Sequence, residues 1–540
     1  MKQDQRRCLA LVFVCLLAAC APAEGPPDAG TAAAGERVVR MHITQDPASL
    51  SLIGKTDLNA EVVGMRLTDA LVQYDEKLVI RPLLAKSWEF SKSERSITFK
   101  LRENVRWHDG EPVTSADVLF TIDKLREPET ENRTWAPDLR KLEKLEAPDE
   151  HTVVATYSEL KVDALEAWRT PILPAHVAGR DEDLFNGEFA RHPIGCGPFK
   201  FVHYIRGQEI VLEANDDYWG GRPEIDRLEI KIFSDQQTAY QALMTGDLHI
   251  MVMSANLWQQ ARESEHAERF ELTSYKRYSA WTLGWNQKNN PFFGDARVRR
   301  AMVLALDRES FIENVAHGMA HIGATTFPPS SAWAAPDVEP YGYDPDEARR
   351  LLSAAGWVDA DGDGDGVRER DGQRLAFTLL VPVSTQQLTQ WMADWQQQSW
   401  ADIGAEVTIS QLEWQAFRER REERDFHVVA QTFHFTDPDM YVLYHSSEME
   451  GGYNFWSNDD AEIDRLLDAV RYTFDPDQRL AEMHRLQRRL HEQEPVTTLF
   501  FFDAPLIYDK RLLGVRPSPL GYANTISGPR TWRWAEEASR

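Results

Sequence analysis

Apolar and polar positions along this chain follow two periods, which alternate from one end to the other. Residues 37–44, RVVRMHIT, set β-branched and apolar residues against polar ones with period two, which predicts a strand. SITFKLREN (96–104) and HTVVATYS (151–158) share the pattern and predict two more. The turn HDGEP (108–112) leads into SADVLFTIDKL (115–125), whose apolar residues recur at helical spacing. Later helices carry their own punctuation. Asp344 caps, Pro345 takes the first helical position, Glu347 completes a capping box and Gly356 closes the helix. Asp475-Pro476-Asp477-Gln478 repeats that grammar before LAEMHRLQRRLHEQE (480–494). Strands and helices alternating without an internal repeat predict an α/β or mixed α+β class.

Length and charge narrow the picture. At 540 residues a single hydrophobic core is not expected, so the chain should form two or three packed lobes. A formal charge of −26 argues against nucleic acid, which needs a basic face, and against holding an anionic membrane by surface charge. At the N-terminus MKQDQRR is basic on balance, and CLALVFVCLLAAC is an apolar run of thirteen residues, too short to span a bilayer. Together they read as a secretory signal. Leu17-Ala18-Ala19-Cys20 resembles a bacterial lipobox, whose cysteine is acylated and becomes the first mature residue. Residues 1–19 are then the signal peptide, and 20–36, rich in Ala, Gly and Pro, a disordered tether. Cleavage takes the charge near −28 and removes Cys8 and Cys15, leaving Cys20 for lipid and Cys196 alone, without a disulfide. No later stretch approaches eighteen apolar residues. The expectation is a soluble exported body, in the periplasm or on the cell surface, anchored only through its N-terminal lipid.

Candidate chemistry is sparse. Cys196 lies in RHPIGCGPFKF (191–201) close to His192, and one reading is a nucleophile, although a catalytic set also needs an orienting group. The other reading is a small buried side chain in a turn whose glycines supply unusual backbone angles. In VDADGDGDGVRERDGQ (358–373), Asp361, Asp363, Asp365 and Glu369 fall at positions one, three, five and nine of an EF-hand-like loop. Gly372 stands where the bidentate glutamate belongs, which leaves a structural calcium or a plain acidic turn as alternatives. No other cofactor is expected. Tryptophans are dense, and clefts for organic solutes are lined by aromatics with a few polar groups.

Four long blocks resemble the family 5 extracellular solute-binding proteins, the peptide/nickel-type receptors of ABC importers. They are residues 84–122, 192–235 with ALMTGDLHIMV, LGWNQKNNPFFGDARVRRAMVLALDRESFIENVAHGMA (283–320) and YDPDEARRLLSAAGW (343–357), in family order. The resemblance implies an α/β, two-lobed periplasmic-binding-protein type II fold with an additional N-terminal subdomain. It assigns 37–66, 192–285 and 506–540 to lobe I, 67–191 to the subdomain and 286–505 to lobe II. It also implies a monomeric substrate-binding subunit, not an enzyme, serving separate permease and ATPase chains. Trp281, Trp285 and Asn286 then become hinge-proximal, cleft-facing candidates. VVAQTFHFTDPDMYVLYHS (428–446) resembles the family segment ending in Asp437-Pro438-Asp439. In oligopeptide receptors an aspartate four residues before that proline pairs with the peptide's ammonium, and here the position is His434, with Gln431 at a usual tryptophan. Asp437 and Asp439 remain as candidates beside His434. Short peptides are the first ligand expectation, and an opine, sugar or metal chelate the second. An exported hydrolase using Cys196 or an acidic pair, and a receptor-like sensor, are the readings from other classes.

Overall fold

A computed structural model describes residues 35–535 apart from 52, 54–56, 94, 129, 131, 133–134, 182, 360–365, 384–386, 435–438 and 451. Three sheets organise it. In the first, Val38–Ile43 pairs in parallel with Arg227–Ile232, followed antiparallel by Glu209–Ala214 and Phe199–Ile205. Alternation does its work here: Val39, Met41 and Ile43 turn into the lobe I core with Phe199, Leu212 and Ile230. The subdomain sheet is antiparallel, in the order Ala85–Ser91, Ser96–Leu101, Thr152–Tyr157, Leu142–Asp149. The amphipathic helix Ser115–Arg126 covers it, burying Val118, Ile122 and Leu125. Asp117 accepts from the Thr114 backbone N–H at 2.9 Å and fixes where that helix begins.

The third sheet joins the lobes. Ile250–Val252, Val496–Asp509, Phe270–Trp285, Val428–His434, Ala376–Pro382 and Glu406–Leu412 lie in that order, with Ala320–Ile322 added against Val496–Asp509. Phe270–Trp285 and Val496–Asp509 are long crossover strands paired antiparallel. Their ladder breaks between Lys276 and Ala280. Tyr275, Ala504 and Leu506, on one side of the break, belong to the lobe I core, whereas Ala280, Trp281, Phe500 and Phe501 belong to lobe II cores. Residues 280–285 therefore pack with lobe II, and Ala504 packs with lobe I.

The local signals of the helices hold in part. Asp344 accepts from Glu347 N–H at 2.8 Å and Asp475 from Gln478 N–H at 2.9 Å. Gly356, at φ +88°, ends the first of these helices. The Glu347 carboxylate does not complete a capping box but pairs with Arg350 at 2.7 Å, one turn along the same helix.

Candidate functional site

In lobe II, Ala376–Pro382 runs parallel to both Glu406–Leu412 and Val428–His434. Ligands of open α/β sheets bind beyond the carboxyl ends of such strands. That edge carries Val383 and Trp414, both exposed, and His434. Ser279 of the crossover strand lies opposite His434, so the hinge break and this edge coincide. At the break His321 Nε2 lies 3.1 Å from an Asp503 carboxylate oxygen. In lobe I the parallel pair Val38–Ile43 and Arg227–Ile232 ends at Thr44 and Phe233. Beyond it Asp46 accepts from Tyr204 Oη at 2.7 Å and from Gly207 N–H at 2.8 Å, and these bonds hold its carboxyl below the usual range.

Three of the expected ligand contacts lie inside lobe II in this geometry. Trp285 pairs with Val428 at the amino end of the parallel strand, away from the ligand edge. Six residues separate it from Ser279, about 20 Å of strand. It is fully buried against Phe293 and Trp400, and its indole Nε1–H donates to Thr497 Oγ1 at 2.9 Å. Asn286 is equally buried, and its amide donates to Arg424 O and Phe426 O, tying two loops of lobe II together. Trp281 packs in the same core with Phe500, and its indole N–H is buried there without a hydrogen-bond partner. All three are interior side chains of lobe II. Gln431, at the usual tryptophan position, is also interior, and its Oε1 accepts from Arg421 Nη1 at 2.6 Å. Burial pushes that guanidinium down to about 10.

Asp439 is engaged in another way. Its Oδ2 accepts from Arg471 Nε at 3.0 Å and Nη2 at 2.6 Å, and lies 3.6 Å from Lys161 Nζ. Lys161 Nζ in turn donates to Asp138 at 2.7 Å. Burial alone would push the Asp439 carboxyl up, but Arg471 and Lys161 override it and hold it below its ordinary value. The Arg471 guanidinium also sits 3.5 Å over the Tyr441 ring. Next to this group, Arg479 pairs with Asp163, and the Arg479 guanidinium lies 5.0 Å from the Trp333 ring centroid. Farther along Val162–Arg169, Glu166 accepts from Tyr74 Oη and pairs with Arg169 at 3.0 Å. Lys161, Asp163, Arg471 and Arg479 escaped the sequence reading because each is one charge on an ordinary-looking amphipathic stretch. The one signal was arginine at positions of those helices that face inward.

Asp437 and the aspartates of the acidic loop (Asp361, Asp363, Asp365) lie outside the described residues, as does Cys20. Glu369, the fourth candidate calcium ligand, sits in a short hairpin strand paired to Arg374. Among the described residues no three His, Cys, Asp or Glu side chains are grouped to hold a metal. His427 accepts from Thr378 N–H and packs on Phe292, while His445 stacks on Tyr441 at 4.0 Å.

Cys196 is buried, with its Sγ 3.7 Å from Thr68 Oγ1. Burial pushes the thiol well above its ordinary range, the opposite of what a nucleophile needs. His192 points elsewhere: its ring is exposed, 3.8 Å from Glu188. The histidine that does serve the turn is His108. Its Nδ1 accepts from Gly195 N–H at 3.1 Å, so Nε2 carries the hydrogen toward Gly197 O, also at 3.1 Å. Burial pushes this imidazole down to about 4 and keeps it neutral.

Comparison with known proteins agrees with this architecture. Residues 79–454 match the model described as bacterial extracellular solute-binding proteins, family 5 Middle. The oligopeptide-binding protein AppA of Bacillus subtilis is 29% identical over 527 residues, which cover 94% of this chain and 95% of AppA. The structure of AppA in complex with a nonapeptide superposes with a TM-score of 0.76 at 27% identity, covering 92% of this chain and 99% of that one. NikZ from Campylobacter jejuni in complex with Ni(L-His) has the same fold, with a TM-score of 0.76 at 24% identity, covering 92% of this chain and 99% of NikZ. The fold is the two-lobed type II arrangement with an added subdomain.

Proposed function

Since this chain belongs to the bacterial extracellular solute-binding proteins of family 5, we propose that it captures short peptides between its lobes and passes them to an ABC permease. The observation that carries the peptide reading is the likeness to AppA over almost the whole of both chains. Capture is an equilibrium between open and closed arrangements, biased by a ligand that touches both lobes, with no bond made or broken. The break in the crossover ladder at Lys276–Ala280 is where such a motion would bend the chain, because backbone pairing is interrupted there. His434 cannot supply the negative charge that a buried peptide ammonium requires, so another acidic group at the cleft edge would do so. The permease and ATPase are separate chains, and no helix among the described residues is long and apolar enough to cross a membrane.

The test is thermal melting of the chain from Ala21 onward, with and without a mixture of peptides of two to five residues. Ligand that binds only the folded form stabilises it by about 2.7 kcal/mol at a hundredfold excess over Kd. A clear rise in Tm is expected. No rise, from protein shown to be folded and free of co-purified solute, would transfer the reading to a non-peptide solute.

A further inference from the structure

The subdomain is fixed to lobe I, not to lobe II. Gly197 N–H donates to Leu67 O at 2.9 Å, and the buried Asp69 carboxylate accepts from Tyr218 Oη at 3.0 Å and Trp219 Nε1 at 2.8 Å. Ile526 N–H donates to Tyr74 O at 2.9 Å and Ser527 Oγ to Glu76 at 3.0 Å, which ties the C-terminal segment to the subdomain as well. Lobe II, by contrast, reaches lobe I through crossover strands whose ladder is broken at the junction. Yet lobe II also touches the subdomain directly, through a patch of its own.

That patch pairs one group from each body at every contact. Lobe II's Arg479 pairs with Asp163, and its Asp439 faces Lys161 at 3.6 Å. Burial, and then the Glu159 carboxylate of the subdomain, raise the Tyr472 hydroxyl above its ordinary range. Phe474, in the loop between helices Ala461–Tyr472 and Pro476–Gln493, packs against the subdomain core, edge-on to Phe90 at 6.1 Å and under Lys92 at 4.6 Å. The side chains of the four ion-pair members are at most 13% exposed. If lobe II swung away from lobe I, all four contacts would separate together and the charges would return to water.

We propose that this patch is a latch, a set of positioning residues that sets how far the closed arrangement is populated without touching the solute. Removing one member should be felt strongly, because its partner is left as a buried, unpaired charge, while the intact pair has little net worth against hydrated ions. A latch of this kind leaves opening and closing near balance. The solute's apparent affinity then scales with the fraction of molecules that are closed.

The inference concerns closure alone and holds for any solute, so its test adds none. Spin labels placed through Lys144→Cys in the subdomain and Arg485→Cys in lobe II, both on exposed side chains, report the distance between the two bodies. The chain from Ala21 onward should give short and long distances in comparable amounts. Arg479→Gln should lower the ratio of short to long distances by about tenfold or more. Phe474→Ser, which leaves the charges alone, should move it in the same direction, and Arg479→Lys should restore much of it. Circular dichroism checks that each variant folds, and Phe474→Ser carries the test if Arg479→Gln does not. A wild type that mainly shows the long distance, or folded variants with the wild-type distribution, would overturn the latch. Failure of the peptide assay would leave this result standing.

Discussion

Gly195 and Gly197 lie where the chain returns from the subdomain to lobe I, and neither has a positive φ. They are needed for closeness, not for unusual backbone angles. A Cβ at Gly195 would stand 1.7 Å from Leu67 O, and one at Gly197 would stand 2.6 Å from Arg66 O. His108 bonds both residues, and Cys196 fills the space behind them. Gly195→Ala should therefore destabilise the protein by about 3 kcal/mol, measured by urea unfolding, because backbone must move to admit a methyl group. Gly342→Ala, where nothing lies within 4 Å, is the control and should stay within about 0.5 kcal/mol of wild type. From the sequence the glycine–cysteine–glycine string showed a tight turn. What crowds it, Leu67, comes from a distant part of the chain and could not be read there.

Among the elements, helices were legible where their ends are local. Asp344 and Asp475 cap within three residues of themselves, so proximity in sequence is proximity in space. Val162–Arg169 was not legible. It is a kinked 3-10 segment whose Asp163 is satisfied from lobe II, while Glu166 and Arg169 pair within the segment. Its Asp163 makes a prediction about pH. Burial pushes this carboxyl up to about 6 against the pull of Arg479, and Asp439 and Glu166 add repulsion. An unfolded aspartate titrates at about 3.9. The folded protein thus holds this proton more tightly than the unfolded chain. The stability that Asp163 contributes is complete below about pH 4 and is lost as pH rises through about 6. Asp439 has the opposite sign, since its carboxyl is held down and its contribution fades at lower pH. Asp163→Asn should accordingly flatten the change of Tm between pH 4 and pH 7, relative to wild type. An unchanged slope would mean that Asp163 titrates alike in both states.

The whole molecule is two lobes held by a broken pair of strands, with a subdomain that rides on one lobe and leans on the other. Its place in the cell depends on a segment outside the described residues. If Cys20 is the acylation site, Cys20→Ser should move the protein from the membrane pellet to the soluble fraction after export, with its fold and ligand binding unchanged. Retention in the pellet would count against the lipobox. The chain's periods and caps determined by themselves the alternation of strands and helices, because those are contests between neighbouring residues. The long blocks in family order carried the fold class. Only the tertiary structure decided which side chains lie inside a lobe and which lie at the carboxyl edge of its sheet. Trp285 ends, and Asn286 follows, a strand that passes the ladder break and runs on to the far end of the lobe II sheet. Their depth comes from pairing with Val428 and the loops beside it. Asp439 meets Arg471 within lobe II and Lys161 across the contact with the subdomain, and no local pattern records a partner that arrives from elsewhere in the fold.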